Sequence, residues 1–227
     1  MGPPTASEVL RDALCRGADE AILLTDRAFA GSDTLATSFA LSRLAGKIGH
    51  FDLILCGRQA IDGDTAQVGP QIAEKLALPQ ISYVQEVLEL ADGKIRAKRA
   101  IEGGYEILEA PVPALLTVVD ANDPRPRNAS RIMKFKKAKT PSEFATAGIA
   151  EKDLEALAEK GLLIREWTAK DAVPENEFER LGLSGSPTKV KQIQSVVLTA
   201  GNFREIEPSA EGVSALIYEL IEDHTLG

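Results

Sequence analysis

The residues whose types and spacing best suit ligand chemistry lie in one stretch, residues 57–70, which reads GRQAIDGDTAQVGP. Arg58 supplies a cation that can pair with a phosphate group. Thr65 and Gln67 supply neutral hydrogen-bonding groups, and Gly63 can adopt a positive φ that lets the backbone fold closely over a ligand. These residue types predict a binding site for a phosphate-bearing ligand.

The same stretch also fits an ordinary turn. Asp62-Gly63 is a common turn dipeptide, and Asp64 or Thr65 could cap a helix that binds nothing. The stretch matches neither a Walker A loop nor the pattern GxGxxG. Two aspartates are awkward beside a phosphate, so they would have to face amides, a ribose hydroxyl or the loop itself. From the pattern alone, a plain turn and a ligand loop both stay open.

The composition of the chain excludes several other kinds of site. Among its 227 residues there are two Cys and two His, too few for a disulfide framework or a metal cluster. No apolar run reaches the ~18 residues of a membrane span, and no signal-peptide pattern opens the chain, which predicts a cytoplasmic protein. The net charge of −8 argues against a nucleic-acid partner. A bound cofactor would therefore have to supply any metal or redox chemistry.

The elements that must position this stretch follow an α/β pattern. Short apolar runs at residues 21–25 and 51–56 predict strands that are covered on both faces. Between them Asp33 predicts the cap of a helix, and another helix is predicted for about residues 66–76. Helices that alternate with such strands imply a parallel sheet, and ligands bind at the carboxyl ends of its strands. The free N–H groups of a helix start would suit a phosphate there.

After Pro79 apolar and polar residues alternate, which predicts an antiparallel meander followed by one more buried strand. These strands are predicted at residues 81–90, 94–100, 105–109 and 113–119. Asp92-Gly93 and Gly103-Gly104 stand where the hairpin turns should be. Farther on, helices are predicted at residues 150–160 and at about residues 209–222.

Charge is unevenly distributed along the chain. Residues 123–139 contain seven basic residues and one acid, a net charge of +6, which leaves −14 for the remainder. A solvated face is one interpretation of such a segment, and a docking surface is the other. The charge contrast alone does not choose between them.

Separate blocks across most of the chain resemble the beta subunit of electron transfer flavoproteins. The block GRQAIDGDTAQVGPQIAEKLALP is similar to the signature region of that family. Other blocks in family order are MGPP at residues 1–4, GADEA at 17–21, DTLAT at 33–37, PALLT at 113–117, RIMK at 131–134 and GSPTK at 185–189. Agreement across separate blocks is more specific than one glycine loop, so it favours the ligand loop over the plain turn.

The resemblance implies a Rossmann-like α/β fold of the adenine nucleotide alpha hydrolase type, with a mainly parallel sheet, an antiparallel meander and a C-terminal arm. It divides the chain into a nucleotide-binding domain over residues 1–120, a basic recognition loop with an inserted helical segment over residues 121–187, and an arm and helix over residues 188–227 that contact an alpha subunit.

The chain departs from the family pattern in two places. About two βα units that open family members have no match before Met1, so the sequence looks N-terminally short and an unpaired sheet edge is expected. Residues 140–166 resemble an insertion, for which a surface elaboration is favoured over a partner contact.

The resemblance also implies a cofactor and partners. In this family the alpha subunit carries an electron-transferring FAD, and the beta subunit holds AMP or, in the electron-bifurcating type, a second FAD. Gly63, Thr65 and Val68-Gly69-Pro70 are similar to the FixA-like, bifurcating branch, which implies FAD, with AMP as the alternative. The implied protein is an electron carrier rather than a self-sufficient enzyme. It connects acyl-CoA or other dehydrogenases, or NADH, with a ferredoxin, a dehydrogenase or a membrane-associated quinone oxidoreductase.

The resemblance assigns no catalytic and no metal-binding residue, and it places two groups of binding residues. The implied cofactor-binding residues are Met1, Gly2, Arg58, Gln59, Ala60, Ile61, Asp62, Gly63, Asp64, Thr65, Ala66, Gln67, Val68 and Gly69. The implied docking residues for partner dehydrogenases are Arg125, Arg131, Ile132, Met133 and Lys134, with Ile132 or Met133 as an exposed apolar anchor. Both cysteines are expected to pack as small apolar residues.

Two other classes of protein use a similar strand–loop–helix site. One is a stand-alone adenine-nucleotide-binding module of the universal-stress-protein type, which has no alpha partner. The other is an ATP-pyrophosphate-splitting enzyme, whose Ser-Gly-Gly-type phosphate loop does not occur near the start of this sequence.

Overall fold

A computed structural model describes residues 1–61, 63–119, 125–147, 152–189 and 205–222. The chain forms two compact units, Met1–Lys189 and Val190–Gly227. Asp62 therefore lies outside the described residues. The three-segment division implied by the resemblance stays a prediction.

Helices and strands alternate in the first half of the first unit, as the sequence predicts. The described strands are β1 (Ile22–Leu24), β2 (Leu53–Gly57), β3 (Gln80–Ala91), β4 (Lys94–Ile101), β5 (Gly104–Pro111), β6 (Ala114–Val118) and β7 (Arg165–Trp167). The described α-helices of this unit are α1 (Ser7–Arg16), α2 (Thr34–Ile48), α3 (Val68–Lys75), α4 (Ala129–Phe135), α5 (Pro141–Ala147), α6 (Lys152–Glu159) and α7 (Ala169–Ala172). Short 3₁₀ helices cover Pro4–Ala6, Arg27–Phe29 and Glu175–Arg180.

The main sheet has the strand order β2-β6-β3-β4-β5. β2, β6 and β3 run parallel, and β3, β4 and β5 form an antiparallel meander. Asp92 and Gly93 both have positive φ, 52° and 72°, as a tight hairpin turn requires. The predicted α/β fold, a Rossmann-like parallel sheet extended by a meander, is confirmed.

A second, two-stranded sheet pairs β1 in parallel with β7, which the sequence analysis did not predict. Phe144 and Ile164, at the two ends of the supposed insertion, are buried. Glu143 binds α1, because its carboxylate accepts hydrogen bonds from Arg11 Nη1 at 2.8 and 2.9 Å and from Ser7 Oγ at 3.1 Å. Both ends of residues 140–166 are therefore built into the fold, while the role of the helix candidate between them, a surface elaboration or a partner contact, stays a prediction.

The second unit contains α8 (Ala210–Glu222), which confirms the last predicted helix. Its apolar residues Val213, Leu216, Ile217 and Leu220 recur at helical spacing. In the part of the chain that the structure describes, no helix is long and apolar enough to cross a membrane. No metal-binding group of His, Cys, Asp and Glu occurs among these residues either.

Candidate nucleotide site

The loop between β2 and α3 begins at the carboxyl end of the parallel strands. The N–H of Arg58 donates to the carbonyl of Val118 at 3.0 Å, so the pairing of β2 with β6 continues into the loop. The N–H of Asp64 donates to the carbonyl of Ala60 at 3.1 Å. Ile61 lies at the tip with 99% of its surface exposed.

Two non-glycine residues give the loop its shape. Asp64 has a φ of 49° and Ala66 a φ of 53°, a region that residues with a Cβ seldom occupy. Backbone strain of this kind is concentrated at ligand-binding sites. The sequence analysis assigned positive φ to Gly63, whose role stays a prediction; a Cβ added to Gly63 would meet open space.

The start of α3 carries no side-chain cap. Its N-cap residue is Gln67, whose side chain makes no capping hydrogen bond and instead accepts one from Thr34 Oγ1 at 2.9 Å. The alternative in which Asp64 or Thr65 caps this helix is therefore wrong. The first N–H groups of α3 have no intrahelical partner and are left for a ligand or for water.

Gly69 sits where α3 touches the sheet. A Cβ at this position would come within 2.7 Å of Thr117 Cγ2 and 3.5 Å of Cys56 Cβ. The missing side chain therefore lets the helix start close to β2 and β6, and only the backbone of Gly69 can face a ligand. Cys56 packs beside it, and burial raises the pKa of its thiol, which fits the predicted apolar role.

A cleft of about 300 Å³ opens beside the loop. Arg58 and Ala66 of the loop contribute to its wall, together with Tyr83, Arg99 and Thr117 from three strands of the sheet. Arg58, Tyr83 and Arg99 also border a neighbouring cleft of about 530 Å³. Neither Tyr83 nor Arg99 was predicted from the sequence as a site residue. The signal for Arg99 was its place after Ile95 and Ala97 in a series of alternate positions, where strand alternation favours an apolar residue.

No contact that the structure describes places Met1 or Gly2 at this cleft. The N–H of Gly2 donates to the carbonyl of Leu24 at 3.1 Å, which ties the start of the chain to the end of β1. Neither residue lines the two clefts beside the loop. Their assignment to the cofactor site stays a prediction.

The docking residues implied by the resemblance divide into two groups. Arg131 Nε donates to the carbonyl of Leu14 at 2.8 Å, and Ile132 packs against a core formed with α1. By contrast, Met133 is 62% exposed and Lys134 and Arg125 are also exposed. Met133 is thus the more exposed of the two residues named as a possible apolar anchor, and Ile132 is half-buried against α1; the docking role of these residues stays a prediction.

The predicted turn at residues 184–188 has a structural role. Ser186 is buried; its Oγ donates to the carbonyl of Gly182 at 2.6 Å and accepts the N–H of Asp33 at 2.8 Å. The N–H of Thr188 donates to Asp33 Oδ2 at 3.0 Å. The turn is therefore connected to the start of α2.

Comparison with known proteins identifies the family of this site. The family model of the electron transfer flavoprotein domain matches residues 1–143. This range includes the loop after β2 and all the strands of the main sheet. The chain belongs to this family. Its relatives are electron carriers, and they do not favour the stand-alone universal-stress-protein type.

Three relatives show how much of the chain is shared. The electron transfer flavoprotein subunit beta of Clostridium acetobutylicum is 39% identical over 225 residues, 99% of this chain and 76% of the relative. Protein FixA of Bradyrhizobium diazoefficiens is 40% identical over 223 residues, 96% of this chain and 69% of the relative. The acryloyl-CoA reductase electron transfer subunit gamma of Anaerotignum propionicum is 37% identical over 229 residues, 98% of this chain and 73% of the relative.

Proposed function

We propose that this chain is the beta subunit of a heterodimeric electron transfer flavoprotein and that residues 58–69 bind FAD, with AMP as the alternative ligand. The observation that carries the proposal is the uncapped start of α3 behind an exposed, strained loop, in a chain that belongs to this family. A dinucleotide with two phosphates fits this combination of residues.

The residues of the loop suit a phosphate-bearing cofactor. The N–H groups of Val68 and Gly69 lie in the first turn of α3 and would donate to a phosphate oxygen. Arg58 would supply the balancing positive charge. Neither Asp64 nor Thr65 competes for these N–H groups as a helix cap. The bound flavin would supply the electron chemistry, and the chain would bind it, orient it and tune its surroundings.

The partners follow from the family and from the exposed basic face. An alpha subunit with its own FAD would complete the heterodimer, and α8 would be part of the contact, since its apolar stripe has the pattern of a helix that packs on a partner. Arg125, Met133 and Lys134 would face a dehydrogenase in a fast, electrostatically steered encounter. The relative named as an acryloyl-CoA reductase subunit supports an acyl-CoA-linked donor or acceptor. The cytoplasmic location and the bifurcating type belong to the same proposal.

Flavin content tests this function. The chain is co-expressed with an electron transfer flavoprotein alpha subunit, and FAD and AMP are quantified in the purified complex. We expect a heterodimer with two FAD molecules if the beta site holds FAD, and one FAD with one AMP in the alternative. Arg58→Gln should lower the beta-site occupancy, whereas Arg27→Gln, an exposed arginine outside the loop, should leave it unchanged. Failure to form a heterodimer, or a complex without flavin and AMP, would overturn the proposal.

A further inference from the structure

We propose that Arg58, Tyr83 and Arg99 form a phosphate-binding subsite beside the ligand loop, in which the two guanidinium groups bind the phosphate of a nucleotide. The inference rests on the proposed function, because it names the residues outside the loop that would recognise the ligand. It adds two strand residues, from β3 and β4, to a site that the family resemblance places in the loop.

The backbone of β3 is distorted at Tyr83. Its φ is 59°, and the pairing of β3 with β6 changes register between Ile81 and Val84. The N–H of Tyr83 donates to Thr117 Oγ1 at 3.0 Å, a side chain rather than a strand carbonyl. Bulges of this kind redirect a side chain, often beside a functional site. A tyrosine held at positive φ costs free energy that a ligand-binding role would explain.

The distortion brings Tyr83 to Arg58. The centre of the Arg58 guanidinium lies 5.3 Å from the centroid of the Tyr83 ring, which is within the range of a cation–π contact. The ring therefore holds the loop arginine at the wall of the cleft. A guanidinium that is already in place loses less conformational entropy when it binds an anion.

Arg99 provides a second guanidinium with unused hydrogen-bonding capacity. Its side chain is 27% exposed, against 51% for Arg96 on the same strand. Arg99 Nε is buried and has no hydrogen-bond partner among the described residues; the carboxylate of Glu106 is 3.8 Å away. A buried, charged donor left without a hydrogen bond is costly, so an oxygen ligand would stabilise it.

The cleft has the size and chemistry of a phosphate site. Arg58, Tyr83 and Arg99 border both clefts, of about 300 and 530 Å³, and Glu102 is the acidic residue in the wall of the larger one. Two arginines in one wall select a multiply charged oxyanion, because each can form paired hydrogen bonds to it. Pro70, in the uncapped first turn of α3, also lines the smaller cleft, so the phosphates of one nucleotide are the expected source of the anion.

Calorimetric titration of the full chain with AMP, adenosine and inorganic pyrophosphate tests the subsite. We expect AMP to bind at least about tenfold more tightly than adenosine, and Arg99→Gln to remove most of that difference while adenosine binding stays the same. Arg96→Gln is the matched control and should preserve the difference, because Arg96 lies on the same strand outside both clefts. Tyr83→Gly, which tolerates the positive φ, should weaken AMP binding by about two- to fivefold through loss of the cation–π contact.

The outcomes separate this subsite from the proposed function. If Arg99→Gln binds AMP as the unmodified chain does, the subsite is wrong even though a nucleotide site exists. If the unmodified chain binds neither AMP nor adenosine, the proposed nucleotide site fails, and the titration with pyrophosphate then tests the subsite alone. Pyrophosphate binding that Arg99→Gln abolishes would support the subsite. No pyrophosphate binding would overturn it. Arg99→Lys guards against a folding defect. This substitution keeps the positive charge but removes the paired hydrogen bonds of the guanidinium. If Arg99→Gln does not fold, the test therefore rests on Arg99→Lys. A folded Arg99→Lys chain that binds AMP as tightly as the unmodified chain would count against paired hydrogen bonding by Arg99.

Discussion

At the scale of the residue, the position of α3 depends on Gly69 having no side chain. A Cβ there would stand 2.7 Å from Thr117 Cγ2, much closer than van der Waals contact. We expect Gly69→Ala to lower the free energy of unfolding by about 1–3 kcal/mol, because the helix must move off the sheet. Urea denaturation measures the change.

Gly46→Ala is the matched control for this substitution. Gly46 lies inside α2, and a Cβ there would meet nothing within 4 Å. The same added methyl group should therefore raise the free energy of unfolding by about 0.5–1 kcal/mol, since alanine loses less backbone entropy in a helix. Equal effects at the two positions would show that the contact with Thr117 is unimportant.

Residue types alone could indicate where the candidate site lies in the sequence but not its geometry. Arg58 and the start of α3 stand out in sequence because an apolar run that predicts a strand ends beside them. The expectation that this strand is covered on both faces is wrong, since β2 stands at an edge of the sheet and Leu55 is 64% exposed. Asp64, Ala66 and Tyr83 do not stand out, because residues with a Cβ rarely adopt positive φ and their types therefore give no sign of it. Such conformations are imposed by the surrounding fold, so a local pattern cannot contain them.

At the scale of the element, Asp33 joins the start of α2 to the turn at residues 184–188. Its Oδ1 accepts the N–H groups of Leu35 at 2.9 Å and Ala36 at 3.0 Å, while Oδ2 accepts that of Thr188. We expect Asp33→Ala to lower the free energy of unfolding by about 0.5–2 kcal/mol, the usual cost of removing a helix cap. Asp33→Asn should lose less, because its side-chain oxygen can still accept a hydrogen bond.

Comparing the pH dependence of stability in the unmodified chain and in Asp33→Asn separates the effect of the negative charge from that of the helix cap. Burial alone would raise the pKa of Asp33, but the N–H groups of Ala36, Thr188 and Leu35 outweigh it and lower the pKa below its usual value. A lowered pKa stabilises the fold above the pKa of the unfolded chain, about 3.9, and this contribution is lost as the pH falls through the lower folded value. The gap between the unmodified chain and Asp33→Asn should therefore shrink on acidification in urea denaturation series. A gap that stays constant from pH 7 to about pH 2 would contradict the assignment.

The elements themselves differ in how well the sequence predicts them. Asp33 and the hairpin at Asp92-Gly93 were predicted because each depends on residues within a few positions. β7 was missed because a strand of three residues shows no periodicity. Its partner, β1, is more than a hundred residues away, so no local pattern connects the two strands.

At the scale of the whole molecule, β2 is one of the two edge strands of the main sheet in the described residues, the other being β5. In the described part of the chain β2 pairs with β6 on one side and stands at the end of the strand order. Leu55, in the middle of β2, is 64% exposed. An edge strand with open backbone groups and an apolar side chain is a template for pairing with another chain.

We therefore expect the isolated chain to self-associate through β2 and Leu55→Lys to suppress this, because a lysine on an edge strand opposes strand addition. Sedimentation velocity over a range of concentrations should show the apparent dissociation constant of the oligomer rising by about tenfold or more. Val9→Lys is the control: Val9 is 71% exposed, but it lies in α1, which offers no strand edge for pairing. If both substitutions reduce association equally, exposed apolar surface in general is responsible. If neither does, the edge of β2 is protected in solution, and the self-association predicted from its exposed backbone is wrong.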